Sequence, residues 1–135
     1  MTMASDGQRA PFVWPIRVYY EDTDAGGIVY YANYLKFMER ARTEWLRAMG
    51  VDLHEWAVQT GKGFVVRSAQ LDFAKPAHLG DMLEVSVEPT IQKKASVTVV
   101  QRVRQDGEIL CQGSIRLAAV ELKTMRPCGL PEFMI

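Results

Sequence analysis

The residues of this chain best suited to chemistry lie in one short run, Tyr20 to Gly27, which reads Y-E-D-T-D-A-G-G. Acids stand at Glu21, Asp22 and Asp24, immediately before Gly26-Gly27. Asp24 has two readings. In one it is a turn aspartate that accepts a hydrogen bond from the backbone two residues on. In the other, the mutual repulsion of three close acids is tolerated because one of them has a task. Gly26-Gly27 lets the backbone turn sharply and brings bare N–H groups toward whatever lies beside the following helix. N–H groups at a helix N-terminus favour a developing negative charge. A carboxylate beside such donors meets the minimum for acyl-transfer hydrolysis: one group to attack or to activate water, another to hold the oxyanion.

Other chemistries fit less well. Asp22-x-Asp24-x-x-Gly27 resembles the opening of an EF-hand loop, but its fifth position is Gly26 and its twelfth, which needs a bidentate acid, is Asn33. No metal site and no cofactor are expected. There is no nucleophile elbow, zinc-binding His pair or phosphate-cradling loop. His54 and His78 read as surface residues. Lys93-Lys94 is a basic pair between strands, either a solubilised hairpin turn or a grip on a ligand's phosphates.

The elements that must position this run follow from periodicity. From Asn33, the side chains Tyr34, Met38, Ala41, Trp45 and Met49 recur at helical spacing, and Leu35, Phe37 and Leu46 widen the stripe. The helix is therefore expected to be largely buried, with Arg40, Arg42, Glu44 and Arg47 as its polar face and Gly50 as its stop. Before it, Ile16 to Tyr20 alternates as a strand. After it, Asp52 is placed to cap a short helix that Gly61 ends.

Beyond Gly63 the sequence reads as four consecutive antiparallel strands. Gly63 to Phe73 alternates Val65, Arg67, Ala69, Leu71 and Phe73 against Phe64, Val66, Ser68, Gln70 and Asp72. Met82 to Gln92 carries Pro89 as a bulge or edge kink. Ala95 to Arg104 and Glu108 to Leu122 flank Asp106-Gly107, a strong hairpin signal, and Met125 to Ile135 reads as a tail. One long helix packed against one five-stranded sheet is α+β architecture. The Gly63–Phe73 strand is expected at a sheet edge that a second subunit covers.

Composition bounds the rest. At 135 residues the chain suits one domain, assigned to 12–135, with residues 1–11 expected to be a flexible segment. Lys+Arg and Asp+Glu are equal at 16 each, which argues against nucleic acid or an anionic membrane as the main partner and hints at self-association. The N-terminal stretch lacks a signal-peptide apolar region, and no apolar run is long enough to span a membrane. Cys111 and Cys128 lack metal-ligand spacing and read as reduced thiols of a cytoplasmic protein.

The stretch V-Y-Y-E-D-T-D-A-G-G-I-V-Y-Y-A-N-Y-L-K-F-M-E-R-A-R-T-E-W-L-R resembles the signature of YbgC-type acyl-CoA thioesterases, in the 4-hydroxybenzoyl-CoA thioesterase branch of the hotdog-fold superfamily. The likeness extends more loosely through F-V-V-R, K-P-A-H-L-G-D-M-L-E-V and M-R-P-x-x-L-P, and so covers Trp14 to Pro131. It implies a hotdog fold, a long helix wrapped by a five-stranded antiparallel sheet, assembled as a homodimer or homotetramer with sites between protomers. It implies Asp24 as the catalytic carboxylate, Tyr20 lining the site, and Gly27 and the Tyr31 backbone N–H at the turn that receives the thioester carbonyl. Many members carry His where this chain has Tyr31, so a side-chain role for that His does not transfer.

The resemblance further implies that Val66 and Arg67 approach a partner's site, and it makes Lys93 and Lys94 candidates for the nucleotide end of CoA. The substrate it implies is an acyl-CoA or an acyl carrier protein. The alternatives are a non-catalytic acyl-thioester or carrier-protein binding module on the same fold, and, more weakly, a hotdog hydratase.

Overall fold

The computed structural model describes residues 11–134; residues 1–10, most of the segment expected to be flexible, lie outside the described residues. The long helix α1 runs Asn33–Ala48 and the short helix α2 runs Leu53–Thr60. The strands are β1 (Phe12–Arg17), β2 (Lys62–Phe73), β3 (Met82–Gln92), β4 (Ser96–Gln105), β5 (Glu108–Glu121) and a two-residue β6 (Arg126–Pro127) within the expected tail. No helix among the described residues is long and apolar enough to cross a membrane.

Helix α1 buries Tyr34, Phe37, Met38, Ala41, Trp45 and Leu46 against β1, β3 and β4, whose facing side chains include Ile16, Leu83, Val85, Val97, Val99 and Val103. Two expectations for this helix fail. Leu35 and Met49 are exposed, because the sheet curls around one side of the helix only. Arg42, assigned to the polar face, is buried and donates to the Gln101 side chain. Asp52 caps α2 by accepting the Glu55 N–H at 3.0 Å, and Gly61 closes it in a left-handed conformation.

The strands are all antiparallel, in the order β1-β3-β4-β5-β2, with β6 beside β5. The arrangement is the α+β helix-in-sheet form anticipated above, but β2 does not follow β3 in space. It crosses to the far side of β5 and becomes an edge, as expected for that strand. Between Val66 and Ser68 a bulge leaves Arg67 without an opposite residue. The bulge resets the alternation, so Val66 pairs beside Leu117 and Ala69 beside Ile115, on the side of the sheet that carries the core. The simple alternation expected for this strand is thus broken at Arg67. Both Val66 and Ala69 are nevertheless exposed, since α1 lies over β1, β3 and β4 and reaches β2 through Tyr34 against Phe73.

Pro89 coincides with the second register shift, on the part of β3 beyond the Phe12–Val87 pair, where a missing N–H costs no ladder bond to β1. Strand β1 ends at Arg17 rather than running to Tyr20. A single 3-10 turn, Tyr20–Asp22, replaces its last residues and starts the turn that carries the acids.

Candidate active site

The three acids separate in space. Glu21 and Asp24 are exposed, while Asp22 is 3% exposed. The Asp22 carboxylate accepts the Tyr19 N–H at Oδ2 (2.8 Å) and the Asn33 side-chain amide at Oδ1 (2.7 Å). Repulsion is relieved because one acid is turned inward onto neutral donors and away from its neighbours. Asp24 Oδ1 accepts the Gly26 N–H at 2.8 Å, the local turn bond that the residue type favours. The Asp24 N–H donates to Ile28 C=O (2.9 Å) and Gly27 N–H donates to Asp24 C=O (3.1 Å), closing a tight loop in which Gly27 takes φ +81°. A side chain at Gly27 would be strained at that φ whatever the space around it.

Two further segments hold the loop in place. The Val29 N–H donates to Ala77 C=O (2.9 Å) and the Leu79 N–H to Gly27 C=O (3.2 Å). The Ala77 N–H donates in turn to the Tyr34 hydroxyl at 3.1 Å. Burial raises the Tyr34 pKa, against the opposing effect of that bond, so its hydroxyl stays neutral. His78 is exposed as expected, with Nδ1 3.8 Å from Asp81, too far for an orienting hydrogen bond.

The start of α1 offers the donors. Ala32 stands at the N-cap and has no side-chain oxygen to satisfy the first turn. The Asn33 N–H donates to Tyr30 C=O and the Tyr34 N–H to Tyr31 C=O, whereas the N–H groups of Tyr31 and Ala32 find no acceptor among the described residues. Tyr31 is 63% exposed, and its ring lies against Tyr30 (centroids 4.9 Å apart) and edge-on to Phe73 (6.2 Å). Phe73, at the end of β2, also meets Tyr34 at 5.6 Å. An uncapped helix end, an aspartate turn and an aromatic wall therefore share one end of the protomer.

Of the remaining candidates, Tyr20 stays beside the Asp24 loop and the other four lie at the far end of the sheet. Tyr20 belongs to the 3-10 turn and is 82% exposed, not the inward strand residue its alternation suggested. Val66 and Arg67 are separated from Phe73 by roughly 20 Å along β2. Lys93 and Lys94 form the β3–β4 turn at that same far end, where Lys93 N–H donates to Ser96 C=O and Lys94 C=O accepts the Leu130 N–H. Within one protomer, Asp24 and Gly27 close one loop and Tyr31 follows it at the start of α1, while Val66, Arg67, Lys93 and Lys94 lie toward the other end of the sheet. Reading by motif missed Asn33, Phe73 and the Tyr34–Ala77 contact. Only Phe73 had a signal, its alternation in the expected strand; the other two depend on segments distant in sequence.

The thioesterase superfamily matches residues 26–112. The acyl-CoA thioesterase YbgC of Haemophilus influenzae is 40% identical over 121 residues, which is 90% of this chain and 89% of that protein. Its namesake in Helicobacter pylori is 43% identical over 126 residues, 86% of this chain and 91% of that protein. A crystal structure of a probable thioesterase from Bartonella henselae superposes with a TM-score of 0.86 at 30% identity, covering 90% of this chain and 100% of that one.

Proposed function

The chain belongs to the thioesterase superfamily, in its YbgC-type hotdog branch, and on that premise we propose that it hydrolyses acyl-CoA thioesters with Asp24 as the catalytic carboxylate. The observation that carries the residue assignment is the Asp24 loop, held beside an uncapped helix start whose Tyr31 and Ala32 N–H groups are without acceptors among the described residues.

Asp24 removes a proton from water as the water oxygen attacks the thioester carbonyl carbon. The carbonyl oxygen becomes an oxyanion held by the Tyr31 N–H, with Gly27 letting the loop approach closely. The C–S bond then breaks, and the proton passes to the leaving thiolate to give the free acid and CoA. Direct attack by Asp24, forming a mixed anhydride that water opens, gives the same products. Tyr31 acts through its backbone, so a His side chain is not needed there, and Tyr20 borders the acyl group.

The exposed core-side face of β2 supports self-association, as a homodimer or homotetramer, as the working form. Antiparallel pairing of β2 with its copy would carry the Val66–Arg67 end of one protomer alongside the Phe73 end of the other. Arg67 would then border the partner's acyl site, with Lys93 and Lys94 as cations for the CoA nucleotide. An acyl carrier protein presents the same thioester and is the second substrate form to test. Two free thiols, Cys111 and Cys128, fit a cytoplasmic setting.

The test is thiol release from a panel of short-chain, long-chain and aromatic acyl-CoAs by wild type and Asp24→Asn. The variant is expected to lose at least about 100-fold in kcat with its circular dichroism unchanged. Near-normal turnover by Asp24→Asn overturns the assignment.

A further inference from the structure

Asp22 is the most enclosed acid of the turn, and the chemistry proposed above gives it nothing to do. It is 3% exposed, and among the described residues no basic side chain pairs with it. A buried carboxylate without a cation is costly unless fixed donors satisfy it. Here they do, and they come from both sides of the site. Asp22 Oδ2 accepts the Tyr19 N–H and Oδ1 accepts the Asn33 amide, at 2.8 and 2.7 Å. The Asp22 backbone joins in, with its N–H donating to Tyr19 C=O (3.0 Å) and its C=O accepting the Tyr30 N–H (3.1 Å).

Asn33, itself 7% exposed, is the first residue of α1, and its N–H donates to Tyr30 C=O at 2.8 Å. The bond between the two side chains therefore joins the segment that carries the acids to the start of the helix. Each partner stands two residues from a reacting group, Asp22 before Asp24 and Asn33 after Tyr31. Fixing Asp22 to Asn33 sets the separation between the carboxylate that handles water and the N–H that receives the oxyanion. Both must meet one carbonyl, and a displacement of about 1 Å in such a pair costs on the order of 100-fold in rate.

We propose that Asp22 and Asn33 are positioning residues that hold Asp24 in register with the oxyanion donors of α1. The inference rests on the thioesterase reading above and deepens it. Neither side chain touches substrate; both act through the geometry of the residues that do.

The test is exchange of the two side chains. Asn33→Asp sets two carboxylates against each other at a site where no amide flip restores a donor. It is expected to lower kcat by about 10- to 100-fold with KM within about twofold, the signature of lost transition-state geometry rather than lost binding. Adding Asp22→Asn rebuilds the bond with its direction reversed: the new amide still accepts the Tyr19 N–H and donates to the new carboxylate. The double variant is expected to recover kcat to within about threefold of wild type, which loss of packing alone would not allow. Val99→Ala, a core truncation on β4, serves as a control that loses stability and keeps kcat.

Unchanged kcat in Asn33→Asp, or a double variant as slow as the single one, overturns the proposal. If Asn33→Asp does not fold, Asn33→Leu removes the same donor without adding charge, and normal kcat in it is equally fatal. Asp24→Asn is assayed alongside. Normal turnover there overturns the assignment of Asp24 and with it the register proposed here, even if Asn33→Asp is slow and rescuable; a slow Asp24→Asn beside an unaffected Asn33→Asp removes the clamp alone.

Discussion

Arg42 Nη1 donates to Gln101 Oε1 at 2.9 Å, in the interior between α1 and the sheet. Burial lowers the Arg42 pKa, opposed by nearby Glu39, and the partner is an amide rather than a carboxylate. Gln101, fully buried on β4, also donates through Nε2 to Met38 C=O (3.0 Å) and Ser86 C=O (3.4 Å). One side chain thus joins the helix to two strands, at a point where apolar packing would allow the helix to slide or rotate.

Replacing Gln101 with Met should expose the weakness of that arrangement. The volume is nearly conserved, but a buried guanidinium loses its acceptor. The expected cost is about 2–4 kcal/mol, read as a lower urea midpoint. The double variant Arg42→Met, Gln101→Met should regain part of the loss, because the stranded charge goes with its partner.

Cys111 lies opposite Phe73, fully buried, and its thiol is pushed up to about 12 by burial and by the charge of nearby Asp72. The thiolate is the reactive form, so Cys111 should resist iodoacetamide in the native protein at pH 8 and react on unfolding, as read by mass spectrometry. The linked stability has a definite sign. The folded pKa lies above the ordinary value of 9.0, so the contribution is complete below about pH 9. It declines as pH rises from there toward about 12, because only the unfolded chain releases the proton. A Cys111→Ser variant should lose this dependence in denaturation curves taken across that window.

The β2 edge makes a prediction about assembly. Val66 and Ala69 are exposed on the side of the sheet that elsewhere carries the core. Val66→Lys with Ala69→Lys should place charges where a second copy packs, and light scattering after gel filtration should report a monomer in place of a dimer or tetramer. Turnover should fall with the mass if the partner completes the site. A wild type that is itself monomeric would refute the assembly.

Much of the fold was legible because its signals are local. Asp106 and Gly107 adopt φ 51° and 82°, the paired positive values that a two-residue hairpin requires, and the dipeptide announces them. Asp52 and Gly61 bracket α2 for reasons contained within that helix. The apolar spacing from Tyr34 to Leu46 specifies a helix with a wide buried face. In the candidate site, the Asp24 turn bond to Gly26 follows from residue type alone.

What the sequence determined by itself was therefore the kind and order of the elements, the turn that presents Asp24, and a family signature long enough to imply the chemistry. The tertiary structure alone decided which acid is buried, since nothing local marks out Asp22 among Glu21, Asp22 and Asp24, and only the Tyr19 N–H and Asn33 amide distinguish it. It also turned Arg42 inward to Gln101, sent β2 across to β5, reset its face at Arg67, and left Tyr20 in a turn rather than a strand. The physical reason is common to all of these. Periodicity and turn chemistry describe how a segment satisfies its own backbone, whereas burial and pairing depend on which distant segment arrives to cover it.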